Sequence, residues 1–292
     1  IARQIATDVE ASVEQNTLES QQATDQSLSP PVISTVRSQP VRGRILLVDG
    51  FTVTAADTPE NQAEYPQNPA QKEGLGFPII RGVSLISLLS GMLVDCELGP
   101  YSGKESGETA LLWKLLDRLQ PGDTLVADSY YCTYWLVAAC LARGVHLVTK
   151  NHHKRDDHPS DARRLNQHER IVVWQRPQRP EWMSPEVYAA QPATVQMRLV
   201  DVQVSEPGFR SHGFTVATTM LDHRQFTRDW IGSLYRGRWI VELDIRSIKC
   251  SLGMDVVRAK TPEMVRTEIW SCLLAYNMIR AKMLQSSAAS GR

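Results

Sequence analysis

The chain has 292 residues with 32 lysines and arginines against 32 aspartates and glutamates, enough length for one large domain with an insertion, or for two domains. Overall neutrality speaks against a polyanion-binding protein, yet residues 1–142 carry 9 basic and 17 acidic side chains and residues 143–292 carry 23 and 15. A net of −8 therefore faces a net of +8, an asymmetry that points towards nucleic acid. Five widely spaced cysteines without a C-x-x-C pair fit thiols in a reducing, cytoplasmic compartment, and no stretch is long and apolar enough for a membrane span.

The chain opens on Ile1 rather than methionine and is read as a fragment lacking its natural N-terminus. Residues 1–42 are rich in Gln, Ser, Thr and Pro, with QQATDQSLSPP as the clearest run, and read as a linker or a truncated N-terminal region. From Arg44 the pattern changes. ILLVD is a short apolar run typical of a buried strand, and Asp49-Gly50 is expected to end it. Two more strands are expected between Gly76 and Tyr101, turned near Ser90-Gly91. The helical spacing of Leu111, Leu112, Leu115, Leu116 and Leu119 then stops at Pro121-Gly122. Strand TLVAD, closing on Asp128, helix CTYWLVAACLARG and strand VHLVT complete a mixed α/β order.

After Lys150 the helical periodicity lapses. VVW, TVQMRLVDVQV and FTVATTM alternate like strands, so residues 150–223 read as a β-rich insertion. His152, His153, His158 and His168 have no spacing that suits a zinc site; with Lys150, Lys154, Arg155, Arg163 and Arg164 they form a basic loop, either solvated or touching a phosphate backbone. Helical spacing returns from about Gln225 to Leu252, and a last helix is expected after Thr261-Pro262.

The stretch YRGRWIVELDIRSIK, residues 235–249, mixes many charges with apolar residues. On a uniform helix at about 100° per residue, with Tyr235 at zero, Arg238, Glu242 and Lys249 fall near −60°, −20° and −40°. Leu234, Val241, Ile245, Ile248 and Leu252 gather between about −80° and −140°. The polar stripe thus borders the buried face. Glu242 could there meet Asp49 and Asp128, three carboxylates suited to hard, oxygen-liganded cations such as Mg²⁺. Two such ions can activate an attacking oxygen and stabilise a leaving one in phosphoryl transfer.

The spacing Y-x2-R-x3-E-x6-K, filled by Tyr235, Arg238, Glu242 and Lys249, resembles the signature of DDE transposases of the insertion sequence 4 family. LVDG at 47–50, DTPENQAEYPQ at 57–67, GPYSGKESGE at 99–108, GDTLVADSYY at 122–131 and LGMDVVRAKTPEMVRTEIW at 252–270 resemble that family's blocks, in family order. The resemblance, covering about residues 43–285, implies an α/β, RNase H-like mixed sheet flanked by helices and interrupted by the β-rich insertion. The core would comprise 43–149 and 224–256, followed by a C-terminal helical segment, 257–292.

It further implies catalytic, metal-binding Asp49, Asp128 and Glu242 with two Mg²⁺ or Mn²⁺ ions, and phosphate contacts from Tyr235, Arg238 and Lys249. The implied activity is nicking of transposon ends in double-stranded DNA, passage through a hairpin and transfer to target DNA, by a homodimer that pairs two ends. Trp174 or Trp182 would be candidates to stack a flipped base, or else would pack in the small β core. The alternative is a truncated, non-catalytic relative that binds DNA or an active transposase as an inhibitor.

Overall fold

A computed structural model describes residues 43–204 and 212–289; the low-complexity stretch 1–42 lies outside the described residues. In chain order the elements are β1 (Ile45–Ala55), α1 (Pro59–Glu64), β2 (Ile79–Ser87), β3 (Leu93–Pro100), α2 (Glu108–Leu115), β4 (Thr124–Ala127), α3 (Tyr134–Ala142) and β5 (His146–Lys150). There follow β6 (Arg163–Arg164), β7 (Glu169–Gln175), α4 (Pro185–Ala190), β8 (Thr194–Val204), β9 (His212–Thr218), α5 (Arg228–Gly237), α6 (Trp239–Arg246), a π-helical turn Ser247–Ser251, β10 (Val256–Val257) and α7 (Pro262–Ala289). This is the mixed α/β order expected. Among the described residues no helix is long and apolar enough to cross a membrane.

The chain divides into two compact units, one containing Leu46–Arg118 and the chain from Trp239 onward, the other Leu119–Arg238. In the first unit β1, β2 and β3 form an antiparallel sheet, and β10 adds in parallel to the far end of β1. β1 does not stop at Asp49-Gly50. It continues through FTVTA, where Phe51, Val53 and Ala55 are buried and Thr52 and Thr54 half-buried, the alternation of a strand with one face on a core. Asp49 therefore lies within β1, paired with Ser84 of β2.

Helix α2 covers one face of this sheet. Leu111 packs over Gly99, and the Glu108 carboxylate lies so close over Gly50 that a Cβ there would come within 2.3 Å of it. Because side chains alternate along a strand, Asp49 and Phe51 point to the opposite face. Helix α7 is fastened to the β2–β3 turn: Asn277 bonds both the N–H and the C=O of Leu93 at 2.8 Å, and the Tyr276 hydroxyl donates to the Gly91 carbonyl at 2.7 Å. Asn61 of α1 donates to the carbonyls of Ala56 and Ala259, drawing the connection before α7 against the end of β1.

In the second unit β4 and β5 are parallel, and β9, β8, β7 and β6 continue the sheet in antiparallel pairs. The segment 150–223 thus supplies four strands together with α4, which the strand-like reading missed although Ser184 caps it and Pro185 opens it. Arg198 of β8 is fully buried. It pairs with the carboxylate of Glu169 on β7 and donates to the carbonyls of Phe226 at 2.8 Å and Met220 at 3.3 Å.

One strand away Arg170 grips Asp201 through both terminal nitrogens, and the Asp201 carbonyl accepts from Arg228, the first residue of α5. Two guanidinium networks therefore set where α5 begins. A buried pair broken on one side leaves an uncompensated charge, so Arg198→Ala should destabilise this unit by about 3–5 kcal/mol, with Arg198→Met costing less. The urea midpoint of its transition is the measurement, and a shift of under about 1 kcal/mol would show that the network holds nothing.

Candidate functional site

The fifteen residues from Tyr235 to Lys249 do not form one uniform helix. α5 starts after Thr227, whose hydroxyl accepts from the Trp230 N–H, and ends at Gly237, a residue with low helix propensity. Arg238 keeps helical dihedrals, but its N–H reaches back only three residues, to the Tyr235 carbonyl. α6 then runs for eight residues before the π turn, in which Lys249 sits. The uniform wheel therefore fails in angle, and its division of the residues survives except at Leu252, which lies beyond the π turn and is half-buried.

Leu234, Val241, Ile245 and Ile248 are buried, whereas Tyr235, Arg238, Glu242 and Lys249 are each half-buried. Residues with one side fixed by packing and one side reachable by solvent are suited to contact a ligand without being floppy. The signature lies on the border of the buried face, as expected.

In the first unit Asp49 of β1 and Glu242 of α6 open on one cleft of about 490 Å³, lined also by Phe51, Thr52, Ile245, Arg246, Lys249 and Cys250. The Gly50 N–H donates to Asp49 Oδ1 at 2.9 Å, which fixes that carboxylate against its own strand. The cleft thus combines two hard oxygen donors with two cationic side chains, Arg246 and Lys249. A divalent ion such as Mg²⁺ is commonly held by one or two carboxylates while phosphate oxygens and water fill its remaining positions, so this donor set fits one.

The second unit holds the remaining candidates. Asp128 follows β4 directly and caps the 3₁₀ turn Ser129–Tyr131, its Oδ1 accepting from the Tyr130 N–H at 2.8 Å. Tyr235 packs its ring on Phe214 with centroids 5.3 Å apart and shares a hydrogen bond with Arg238. Burial pushes the Tyr235 phenol above its ordinary pKa, the Arg238 guanidinium opposes that, and the Asp128 charge adds to it. The phenol is therefore a protonated hydrogen-bond donor at neutral pH. Among the described residues no group of three or more His, Cys, Asp or Glu side chains is gathered closely enough to hold a metal ion.

The two tryptophans left open by the sequence differ. Trp174 is buried and carries the Arg155 guanidinium over its ring at 3.7 Å, whereas Trp182 is 58% exposed, edge-on to Trp135. Glu108, on the face of β1 opposite to Asp49, is a packing residue and not part of the cleft. The glycine at position 50, whose missing side chain admits that carboxylate against β1, marks the close approach of α2.

Comparison with known proteins gives a consistent result. The family model described as transposase DDE domain matches residues 41–278. Transposase InsG for insertion sequence element IS4 of Escherichia coli (strain K12) is 28% identical over 246 residues, 82% of this chain and 52% of that protein. The transposase for insertion sequence element IS421 of Escherichia coli is 33% identical over 67 residues, 23% of this chain and 18% of that one. The chain thus spans about half the length of the first relative and less of the second. Among solved structures, piggyBac transposase in a synaptic complex with hairpin DNA covers 92% of this chain and 59% of its own, with a TM-score of 0.49 and 10% identity.

Cys250 is exposed beside Lys249 in the cleft, while Cys96, Cys132 and Cys140 are buried and burial pushes the Cys140 thiol up to about 12. Maleimide should therefore label Cys250 at least about a hundredfold faster than those three. Double-stranded DNA should slow the labelling of Cys250, as followed by mass spectrometry of peptides; equal rates with and without DNA would place DNA away from the cleft.

Proposed function

We propose, from the premise that this chain belongs to the transposase DDE domain family, that it cleaves and joins DNA at the ends of a mobile element with the help of divalent metal ions. The observation that carries this reading is the cleft where Asp49 and Glu242 face each other's surroundings beside Lys249 and Arg246. Carboxylates suited to a cation and cations suited to phosphate are what phosphoryl transfer needs in one place.

Asp49 and Glu242, which share the cleft, would hold the metal, with Asp128 the third ligand that the family resemblance implies. When bound, Mg²⁺ or Mn²⁺ would polarise the scissile phosphate and make water, or a 3′-hydroxyl, a competent nucleophile. The protein's own part is electrostatic and geometric. Lys249 and Arg246 would draw the DNA backbone into the cleft, where fixed positive charge is worth more than in bulk water. The Tyr235 phenol and Arg238 would donate to phosphates flanking the break, which sets the register of the strand but reads no sequence.

The RNase H-like core, 43–149 with 224–256, would carry the chemistry. Cut-and-paste movement through a hairpin, pairing of two ends by a homodimer, and a cytoplasmic setting complete the reading. The relatives' names support it, as does the half-buried placement of all four signature residues.

Asp49→Ala, Asp128→Ala and Glu242→Ala should each lower Mg²⁺-dependent nicking of an end-bearing duplex by about a thousandfold or more, with gel-resolved 3′-hydroxyl products as the readout. Nicking that survives Glu242→Ala would remove that residue from the site. A chain that binds the duplex and never nicks it would instead be the non-catalytic relative. For the phosphate contacts, Lys249→Ala should reduce the slope of log K against log salt by about 1. An unchanged slope would take Lys249 off the backbone.

A further inference from the structure

We infer that Arg258 and Lys260 form a fixed cationic row that takes backbone phosphates of the DNA about six base pairs away from the carboxylates of the cleft. The inference rests on the reading of the cleft as the place of strand cleavage, and it concerns residues outside the Y-x2-R-x3-E-x6-K spacing.

The connection from β10 to α7 is fastened through its main chain at almost every residue. The Asp255 carbonyl accepts from the Thr54 N–H at 3.1 Å and from the Thr54 hydroxyl at 3.2 Å. Val256 and Val257 pair with Thr54 and Ala55 of β1, and Val257 is buried. The Glu268 carboxylate of α7 accepts from the N–H groups of Arg258 at 3.1 Å and Ala259 at 2.9 Å. The carbonyl of Ala259 accepts from Asn61 at 3.0 Å, and that of Lys260 from the Thr58 hydroxyl at 2.8 Å.

The side chains of this fastened segment alternate. Val257 is buried and Ala259 half-buried, whereas Val256, Arg258 and Lys260 are exposed, so these three stand on one side. Neither Arg258 nor Lys260 has an ion-pair partner among the described residues. The acids nearest in sequence lie outside the row: Asp255 precedes β10, and Glu263 is in the first turn of α7, where it complements the helix dipole.

Stability alone does not call for cations here. The bonds at 258, 259 and 260 all engage main-chain groups, so the fold is indifferent to the side chains at 258 and 260. What arginine and lysine add is a pair of charges on a backbone already ordered, which loses less entropy on gripping a polyanion than a mobile loop would.

The register gives the row its place. β10 runs parallel to β1 and reaches it at Ala55, six residues beyond Asp49, or about 20 Å along an extended strand. Thr52, at the rim of the cleft, lies between them on the same strand. A duplex advances about 3.4 Å per base pair, so one whose scissile phosphate sits at Asp49 and whose axis follows β1 meets the row about six base pairs away.

The test uses the full chain without divalent ions, so that nothing is cut, and an end-bearing duplex whose affinity is followed against salt by fluorescence anisotropy. Arg258→Ala and Lys260→Ala should each reduce the slope of log K against log salt by about 1, and the double variant by about 2. Thermal unfolding should stay as in the parent, because the anchors are main-chain groups. Neutral methylphosphonate linkages about six base pairs from the nicking position should weaken binding by the parent and leave the double variant unaffected. A parent-like slope in the double variant would overturn the row. Equal sensitivity of parent and double variant to those linkages would also overturn it, because the cations would then not meet the DNA there. Loss in the row variants with a parent-like slope in Lys249→Ala would count against the cleft reading and not against the row.

Discussion

A charge taken out of water needs a partner in fixed geometry, and in this protein that requirement places the helices that carry the candidate site. Arg198, fully buried, can satisfy its donors only if Glu169 and the carbonyls of the 220–226 loop stand where they do. That loop delivers Thr227, the cap of α5, and hence the start of the helix that bears Tyr235 and Arg238. In the other unit Tyr276, Asn277 and Arg280 of α7 meet the same demand on the β2–β3 turn, through the carbonyls of Gly91, Leu93 and Ser90. Hydrophobic burial makes each unit compact; the buried polar groups choose among the many packings that would bury the same area.

The half-buried state of the signature residues has a similar logic. A fully exposed lysine or glutamate loses considerable side-chain entropy on gripping a ligand, and a fully buried one cannot reach it. At the border of a buried face part of that entropy has been lost during folding. Tyr235 illustrates the benefit, since packing against Phe214 restricts its ring while its hydroxyl stays within reach of Arg238.

Much of this was legible in the sequence because it depends on short-range pattern. The strand TVQMRLVDVQV coincides with β8, Pro121-Gly122 ends the helical region after α2, and the apolar residues at 234, 241, 245 and 248 are buried. The misreadings have physical reasons. Asp49-Gly50 has the composition of a turn, but pairing of all of FTVT with β2 holds β1 extended beyond it, and Gly50 serves close approach by Glu108 rather than reversal. The apolar periodicity around residue 238 is blind to the hydrogen-bond irregularity that follows Gly237, because burial pattern and backbone bonding are set by different groups. α4 escaped notice since none of its residues is buried, so it has no apolar stripe to announce it.

The π turn joins these themes. Widening a helix by one residue per turn shifts every following side chain around the axis, so the residues from Ser247 onward no longer obey the wheel that describes α6. Ile248 nevertheless remains buried and Lys249 half-buried in the cleft with Glu242. On a regular helix E-x6-K already puts Lys249 within about 20° of Glu242, and across the π turn the two still line one cleft. The spacing thus survives a local change of helix type, because Ile248, the residue before Lys249, stays buried and keeps the turn seated on the apolar face of α6.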